Sequence, residues 1–514
     1  MNNLHPNLQL TPFPTAIPAW QAPIVAGDLQ LICHKVRESG GRLVAIWGRD
    51  RREAGFVLHV LLLTQTGLLC LNLPLSRQVP SYPDISRIFP SANRMQRAVY
   101  DMLGMAALQA ADQRRWLRHA AWADDSFPLR KDFDAQAALR SDLDDYPFVR
   151  VEGQGVHEIP VGPVHAGIIE PGHFRFSVVG EKVLRLEERL GYIHKGIEKR
   201  FESSTLQQGA KLAGRVSGDS TVAYAWAYAM AAECIADKTP PDRALWLRAL
   251  FLERERIANH LGDLGYLGND VAFSFGFAQF WILKEQVLRH NAALFGHRYL
   301  MDAVVPGGVS VDLDEAGKKV LSEECAMLTR EVQLLRRLYE EHAGVQDRFI
   351  GTGRVAPKLA AQLGLCGLAG RASSQAWDMR VQFACAPYGM LDVQMATHQN
   401  GDVAARVNVR FDELLESLRL QREIMANLLG TGDLAYPLAS LPANGFGVGM
   451  VEGWRGEVMV AIHTDAAGNL DRVHPHDPSW QNWPVLEHAI IGNIVPDFPL
   501  INKSFNLSYS GCDL

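Results

Sequence analysis

From Lys195 to Leu428, apolar residues recur at helical spacing with few interruptions. Within Asp242 to Leu264, the residues Leu247, Leu250, Ile257, Leu261 and Leu264 fall close to 3.6-residue intervals, which lines them along one helical face. Val320 to Leu338 repeats the pattern. Long helices with an apolar face must bury it against one another, so this region predicts a helical bundle. Thr221 to Ala236, TVAYAWAYAMAAECIA, predicts a buried helix whose alanines let its neighbours approach closely. Neither it nor the apolar stretch His59 to Leu75 provides the run of about 20 apolar residues that spans a bilayer. Any work at a membrane is therefore expected to go through partner subunits.

The flanks of the bundle read differently. Between Gln30 and Asn72, short apolar runs (LVAIWG, GFVLHVLLLT, GLLCLNLPL) alternate with turn residues, which predicts an antiparallel sheet. A helix is expected around Asn93 to Leu108, followed by an extended arm from Trp116 to Phe133. The polar stretch Ala135 to Tyr146 suggests a domain boundary, giving domains 1–140 and 141–514. Phe174, Phe176 and Val178, then Leu184 and Leu186 across Gly180 and Glu181, predict a hairpin. The last stretch returns to strands, with VMVAIH after Gly445, Gly447, Gly449 and Gly453. The fold class is α+β: an N-terminal α+β domain with a small sheet, then a mainly helical bundle with peripheral β-hairpins.

Composition excludes several classes. A formal charge of −6 gives no basic face for nucleic acid. The seven cysteines are an odd, scattered set without a CxxC pair, which argues against a disulfide framework or a metal cradle within the chain. The N-terminus MNNLHPNLQLTPFPT lacks the order of a signal peptide, so a cytoplasmic setting is expected. GTGR at Gly351 to Arg354 lacks the setting of a phosphate loop, and His260 reads as a core histidine.

Specific blocks carry a resemblance. SYPDISRIFPSANRMQRAVYDMLGM, followed by WADDSFPLRKDF, resembles the 30-kDa subunit of complex I, although Ala110, Ala111 and Asp112 stand where that family has His-Pro-Asp. GPVHAGIIEPGHFRF, LGYIHKGIEK, GRVSGDS, LERERIANHL, GGVSVDL, WDMR, VEGWRGE and the tail NWPVLEHAIIGNIVPDFPLINKSFNLSYSGCDL resemble the 49-kDa subunit of complex I. They resemble more closely the large subunit of group 4, energy-converting [NiFe] hydrogenases of the formate-hydrogenlyase type. The resemblance implies the 49-kDa and hydrogenase large-subunit fold, and a hetero-oligomer with an iron–sulfur small subunit and antiporter-like membrane subunits. It also implies a peripheral position on the cytoplasmic side of the inner membrane.

In the hydrogenases, two CxxC pairs hold the metals. Here they fall on Ser217 and Ser220, and on Ser508 and Gly511. Nickel and low-spin iron need bridging thiolates; a serine hydroxyl is a hard ligand with a far higher pKa, and glycine offers none. The expectation is that this chain binds no metal or other cofactor itself, with a [4Fe-4S] cluster in the partner. The C-terminal extension that nickel-containing members have clipped is not expected after Asp513 and Leu514.

In complex I the same scaffold binds a quinone. Its headgroup histidine corresponds to His165, which could donate a hydrogen bond and a proton, while its tyrosine falls on Gly218. The substrate pocket is therefore expected around Ser217, Gly218, Ser220, Ser508 and Gly511, with Asp219 as a further donor or acceptor. His194 and Glu198, four apart, share one face if the helix has begun there, either as a proton path and subunit interface or as ordinary ion pairs at a helix start. Asp378 and Arg380 are expected to pair with each other or with Glu198, and Arg215 to point to the former metal pocket or the partner's cluster. Two functions follow: an electron-transferring subunit acting on a quinone or other acceptor, or a structural and coupling subunit without a substrate. An active hydrogenase is set aside on the ligand losses.

Overall fold

The computed structural model describes residues 8–134, 136, 145–166, 169–428 and 430–514. The expected domain boundary at residue 140 lies outside them. The N-terminal sheet comprises β1 (Thr11–Pro12), β2 (Ala19–Pro23), β3 (Arg42–Asp50), β4 (Phe56–Thr64) and β5 (Gly67–Leu75), in the order β1-β2-β5-β4-β3. Strands β3, β4 and β5 are antiparallel, as expected, while β2 joins β5 in parallel. Helices α1 (Ala26–Glu38) and α2 (Ala92–Leu103) supply Leu29, Ile32, Val36, Met95, Val99 and Met102 to the core on one face. On the other face Val44, Trp47, Leu61 and Leu63 pack against Val448, Met450, Met459 and Ala461 from the far end of the chain. Because both faces are covered, every residue of β4 is buried, and GFVLHVLLLT shows no alternation, with His59 as the one polar residue inside its apolar run. The helix expected to Leu108 stops at Leu103: Gly104 takes a left-handed φ of 74°, and Ala106–Leu108 pairs as a strand with Ser81–Pro83.

The predicted hairpin is present as β7 (His173–Val179) and β8 (Lys182–Arg189), extended to three strands by β6 (Val156–Val161). The helical region comprises α3 (Ile197–Phe201), α4 (Thr221–Ile235), α5 (Asp242–Asp270), α6 (Ser274–Phe295), α7 (Glu315–Glu341) and α8 (Val403–Asn427), joined by shorter turns. The chain closes with an antiparallel meander, β9 (Phe446–Glu452), β10 (Glu457–Thr464) and β11 (Leu470–His476), then α9 (Ser479–Ala489), α10 (Phe498–Phe505) and the single turn α11 (Ser510–Asp513). The alanine-rich α4 lies against β9 so closely that a Cβ at Gly449 would sit 2.0 Å from the Ala227 carbonyl oxygen. Among the described residues no helix is long and apolar enough to cross a membrane.

A histidine stack joins the two ends of the chain. Trp47 of β3 stacks on His59 (centroids 5.0 Å apart) and on His474 (5.4 Å), and His59 meets His463 of β10 at 4.6 Å. His476 lies beside His474 with centroids 6.0 Å apart. Burial drives His59 and His476 down to about 3, so both rings are neutral.

Candidate functional site

Two loops meet where the sequence places the four former ligand positions. The first, Ser217 to Ser220, ends in a short 3-10 turn feeding the N-terminus of α4; the second, Ser508 to Gly511, leads into α11. Ser217, Ser220 and Ser508 are buried, while Gly218 is exposed. The Ser217 and Ser508 hydroxyls share a 2.9 Å hydrogen bond. Ser217 donates its one proton to Asp219 Oδ1 at 2.9 Å, so Ser508 must donate to Ser217. Ser508 in turn accepts from the Gly511 N–H at 2.9 Å. Both hydroxyls are thus committed to neighbours.

The surroundings reinforce the closure. Arg455 forks onto Asp219 and donates to Ser220 Oγ at 3.2 Å. Burial pushes the Asp219 carboxyl up, but the Arg455 charge outweighs it and holds the group at about 2. Asn259 and the Trp454 indole donate to the Asp219 carbonyl at 2.8 and 2.9 Å. At the fourth position, a Cβ on Gly511 would lie 2.6 Å from Asp477 Cγ and Oδ2. That carboxylate is itself fixed, accepting from Tyr224 OH at 2.9 Å and capping Ser479 N at 2.8 Å. Three hydroxyls and one glycine, the glycine pressed against a carboxylate, do not fit a centre that needs four thiolates. Cys512 is buried, and burial next to Asp477 keeps its thiol well above the ordinary value, hence protonated. No group of three or more His, Cys, Asp or Glu placed to hold a metal occurs among the described residues.

His165 lies half-buried on the loop before β7, its ring edge-on to Phe174 at 5.4 Å. Its Nε2 meets the Tyr509 hydroxyl at 3.3 Å, and the tail is tied to the same loop by the Ser510 N–H donating to Glu170 at 3.0 Å. Burial lowers the His165 pKa, favouring the neutral imidazole, and raises that of the Tyr509 phenol, favouring its protonated form. Tyr509 is a neighbour that sequence reasoning missed. It lies inside the tail block, between two serines, but nothing in its spacing places it beside a residue 344 positions away.

Other expected residues fall elsewhere. His194 and Glu198 do not share a helical face, because α3 begins only at Ile197 after a left-handed Gly196. His194 Nδ1 instead contacts the Asp513 carbonyl at 2.6 Å, and Lys195 N donates to the Leu514 carbonyl at 3.0 Å, so this block clamps the tail. Glu198 binds Arg472 at 2.6 Å and His474 at 2.7 Å; these partners overcome burial and hold it at about 2. Arg215 does not enter the pocket. It is exposed and forks onto Asp302 at 2.7 and 2.8 Å, and Arg455 provides the cation at the site instead. Asp378 and Arg380 pair with each other at 2.7 Å, not with Glu198, and Arg380 reaches Glu253 at 3.1 Å.

This last pair belongs to a buried ionic network. Arg371 binds Glu413 at 2.6 Å and Glu452 at 2.7 Å, and Arg256 binds Glu413 at 2.6 Å. His260, read as a core histidine, is fully buried with its Nε2 3.2 Å from Glu413. Burial, with Asp378 nearby, raises Glu452 to about 7.

With the fold and the two loops in view, the class is that of the large subunits of complex I-like and hydrogenase-related assemblies. Residues 270–442 match the family model of the respiratory-chain NADH dehydrogenase 49 Kd subunit, and residues 24–138 that of the 30 Kd subunit. Formate hydrogenlyase subunit 5 of Escherichia coli K12 is 30% identical over 93% of this chain and 85% of its own length. Hydrogenase-4 component G of the same organism is 31% identical, covering 84% of this chain and 76% of its own length. In fold, a chain from the structure of the membrane-bound sulfane sulfur reductase, an archaeal respiratory membrane complex, aligns with a TM-score of 0.67 at 23% identity, covering 70% of this chain and 99% of that one. The chain belongs to the family of complex I 49-kDa subunits and group 4 hydrogenase large subunits, carrying a 30-kDa-type domain at its N-terminal end.

Proposed function

We propose that this chain is the peripheral-arm large subunit of a membrane-bound, complex I-like oxidoreductase that has no nickel–iron centre. It passes electrons from a [4Fe-4S] cluster of a partner small subunit to a quinone or similar acceptor at His165. Its other partners are antiporter-like membrane subunits, and it sits on the cytoplasmic side. The observation that carries this reading is the Ser217–Ser508 hydrogen bond, which joins two of the former ligand positions directly. The neutral imidazole and the protonated phenol share one hydrogen bond, whose proton would pass to a quinone carbonyl placed between them, and Tyr509 would stand in for the tyrosine lost at Gly218.

The test is turnover by the purified assembly. Quinone reduction is expected without hydrogen uptake, and His165→Ala should lower it at least tenfold while electrons still reach an artificial dye. Equal quinone turnover in the variant would overturn the assignment. A coupling role without a substrate is the second reading. It is favoured by the commitment of both the Ser217 and the Ser508 hydroxyls to neighbours within the chain.

A further inference from the structure

We propose that Glu188 is the carboxylic acid that carries protons between a polar cavity beneath α2 and the His165–Tyr509 pair. The inference rests on the function proposed above and adds the route by which its protons arrive. Glu188 of β8 is 1% exposed. Its Oε1 accepts from Arg94 Nη1, whereas its Oε2 is buried without a hydrogen-bond partner. An orphaned buried carboxylate oxygen is costly, and holding a proton relieves that cost. The charge count points the same way: Arg94 also donates to Glu487 of α9 at 2.9 Å, and Glu487 accepts the Glu188 N–H at 2.9 Å. Two carboxylates thus share one guanidinium. Burial, helped by Glu487 and opposed by Arg94, raises Glu188 to about 8.

The carboxyl group has a source on one side and a destination on the other. A cavity of about 220 Å3 is lined by Glu188, Arg94, Arg97, Asp112, Tyr146 and Glu487, among others. That is room for several waters among polar partners. Arg97 spans it, binding Asp112 at 3.1 Å and Tyr146 OH at 2.8 Å. Towards the site, Glu188 stands directly opposite Phe174 in the β7–β8 ladder, and residues so paired project from the same face of the sheet. Phe174 is the residue whose ring meets His165, and the charge of Glu188 acts on both Tyr509 and Cys512 in the tail. The near charged groups are therefore Arg94 from α2 and Glu487 from α9, and the near titratable but neutral ones are Tyr509 and Cys512 from the tail.

Reducing a quinone to the quinol takes two electrons and two protons. The electrons come from the partner's cluster. Each proton that the acceptor takes from the His165–Tyr509 pair is replaced from the Glu188 carboxyl by way of water moving between Glu188 and Tyr509, because the Phe174 ring carries no proton, and cavity water reprotonates Glu188.

The assembled complex is compared as wild type, Glu188→Gln and Glu188→Asp, with decylubiquinone as acceptor across pH 6 to 9.5. Ferricyanide, which takes electrons without protons, monitors electron entry in the same preparations. Wild type should lose quinone turnover on an alkaline limb near pH 8. Glu188→Gln should be slower at least tenfold with that limb gone, and Glu188→Asp should keep a limb. An unchanged limb in Glu188→Gln would overturn the relay. Should the wild type reduce no quinone at all, the proposed function fails, and infrared titration of the complex still decides on Glu188. A protonated-carboxyl band that is absent from Glu188→Gln and disappears between pH 7 and 9 supports the relay; no such band contradicts it.

Discussion

Two polar clusters lie inside this molecule and have been built in opposite ways. Around Arg371, charges are buried and matched: Glu413, Glu452, Asp378, Arg256 and Arg380 answer one another, and little of any of them reaches solvent. Around Ser217, the residues that correspond to metal ligands are neutral, and their hydrogen bonds run to each other, to backbone, and to the Asp219 carboxylate and Arg455 guanidinium beside them. A buried ionic network cannot lose one member without stranding another, whereas hydroxyls can exchange one hydrogen-bond partner for another at small cost. The difference teaches that the two clusters hold their shape by different means, matched charges around Arg371 and hydroxyls seated among a few fixed charges around Ser217.

The sharpest way to break that comparison is to remove a charge from the network. Arg371→Ala leaves Glu413 and Glu452 without their shared guanidinium and should destabilise the protein by about 3–5 kcal/mol, read by chemical denaturation. A loss below about 1 kcal/mol, the range of an exposed pair, would mean that the network is not the stiffer of the two regions.

Much of the architecture is legible in the sequence, because periodicity reports which face is buried. The bundle helices, the β7–β8 hairpin and the alanine-rich α4 all follow from spacing. The site is legible only as positions in motifs. His165, Ser217 and Ser508 can be named, but the direction of a side chain depends on contacts distant in sequence. Arg215 turns outward because Asp302 is there to meet it, and Arg455, 236 residues from Asp219, takes the inner role. Likewise the spacing of His194 and Glu198 suits a helix whose start a left-handed glycine delays.

Acid should find a third weakness, the histidine stack between the two ends of the chain. His59 and His476 are held at about 3, below their unfolded value near 6.5, so the unfolded chain binds protons first as pH falls. Their contribution is fully present above pH 6.5 and is lost progressively from 6.5 towards 3. By pH 5 each should cost about 2 kcal/mol, seen as a fall in Tm between pH 7.5 and 5. A Tm that holds steady across that range would mean that the rings are already charged or solvated.

The rebuilt loops can be probed by restoring what they lack. Gly511→Ala drives a methyl group into the Asp477 carboxylate and should cost about 1–3 kcal/mol in thermal denaturation, because there is no room at this position. A neutral or stabilising outcome would show that the loop still yields to a side chain. Ser217→Ala removes two hydrogen bonds, the one across the closure and the one to the Asp219 carboxylate, and should cost about 1–3 kcal/mol, no more than Gly511→Ala.

Metal analysis of the intact assembly bears most directly on the rebuilt site. Purified with its partner subunits, the complex should contain iron in whole clusters assignable to the iron–sulfur subunits, no stoichiometric nickel, and no hydrogen uptake. One nickel per copy of this chain, with hydrogen oxidation, would contradict the reading of Ser217, Ser220, Ser508 and Gly511 as positions that no longer hold metal.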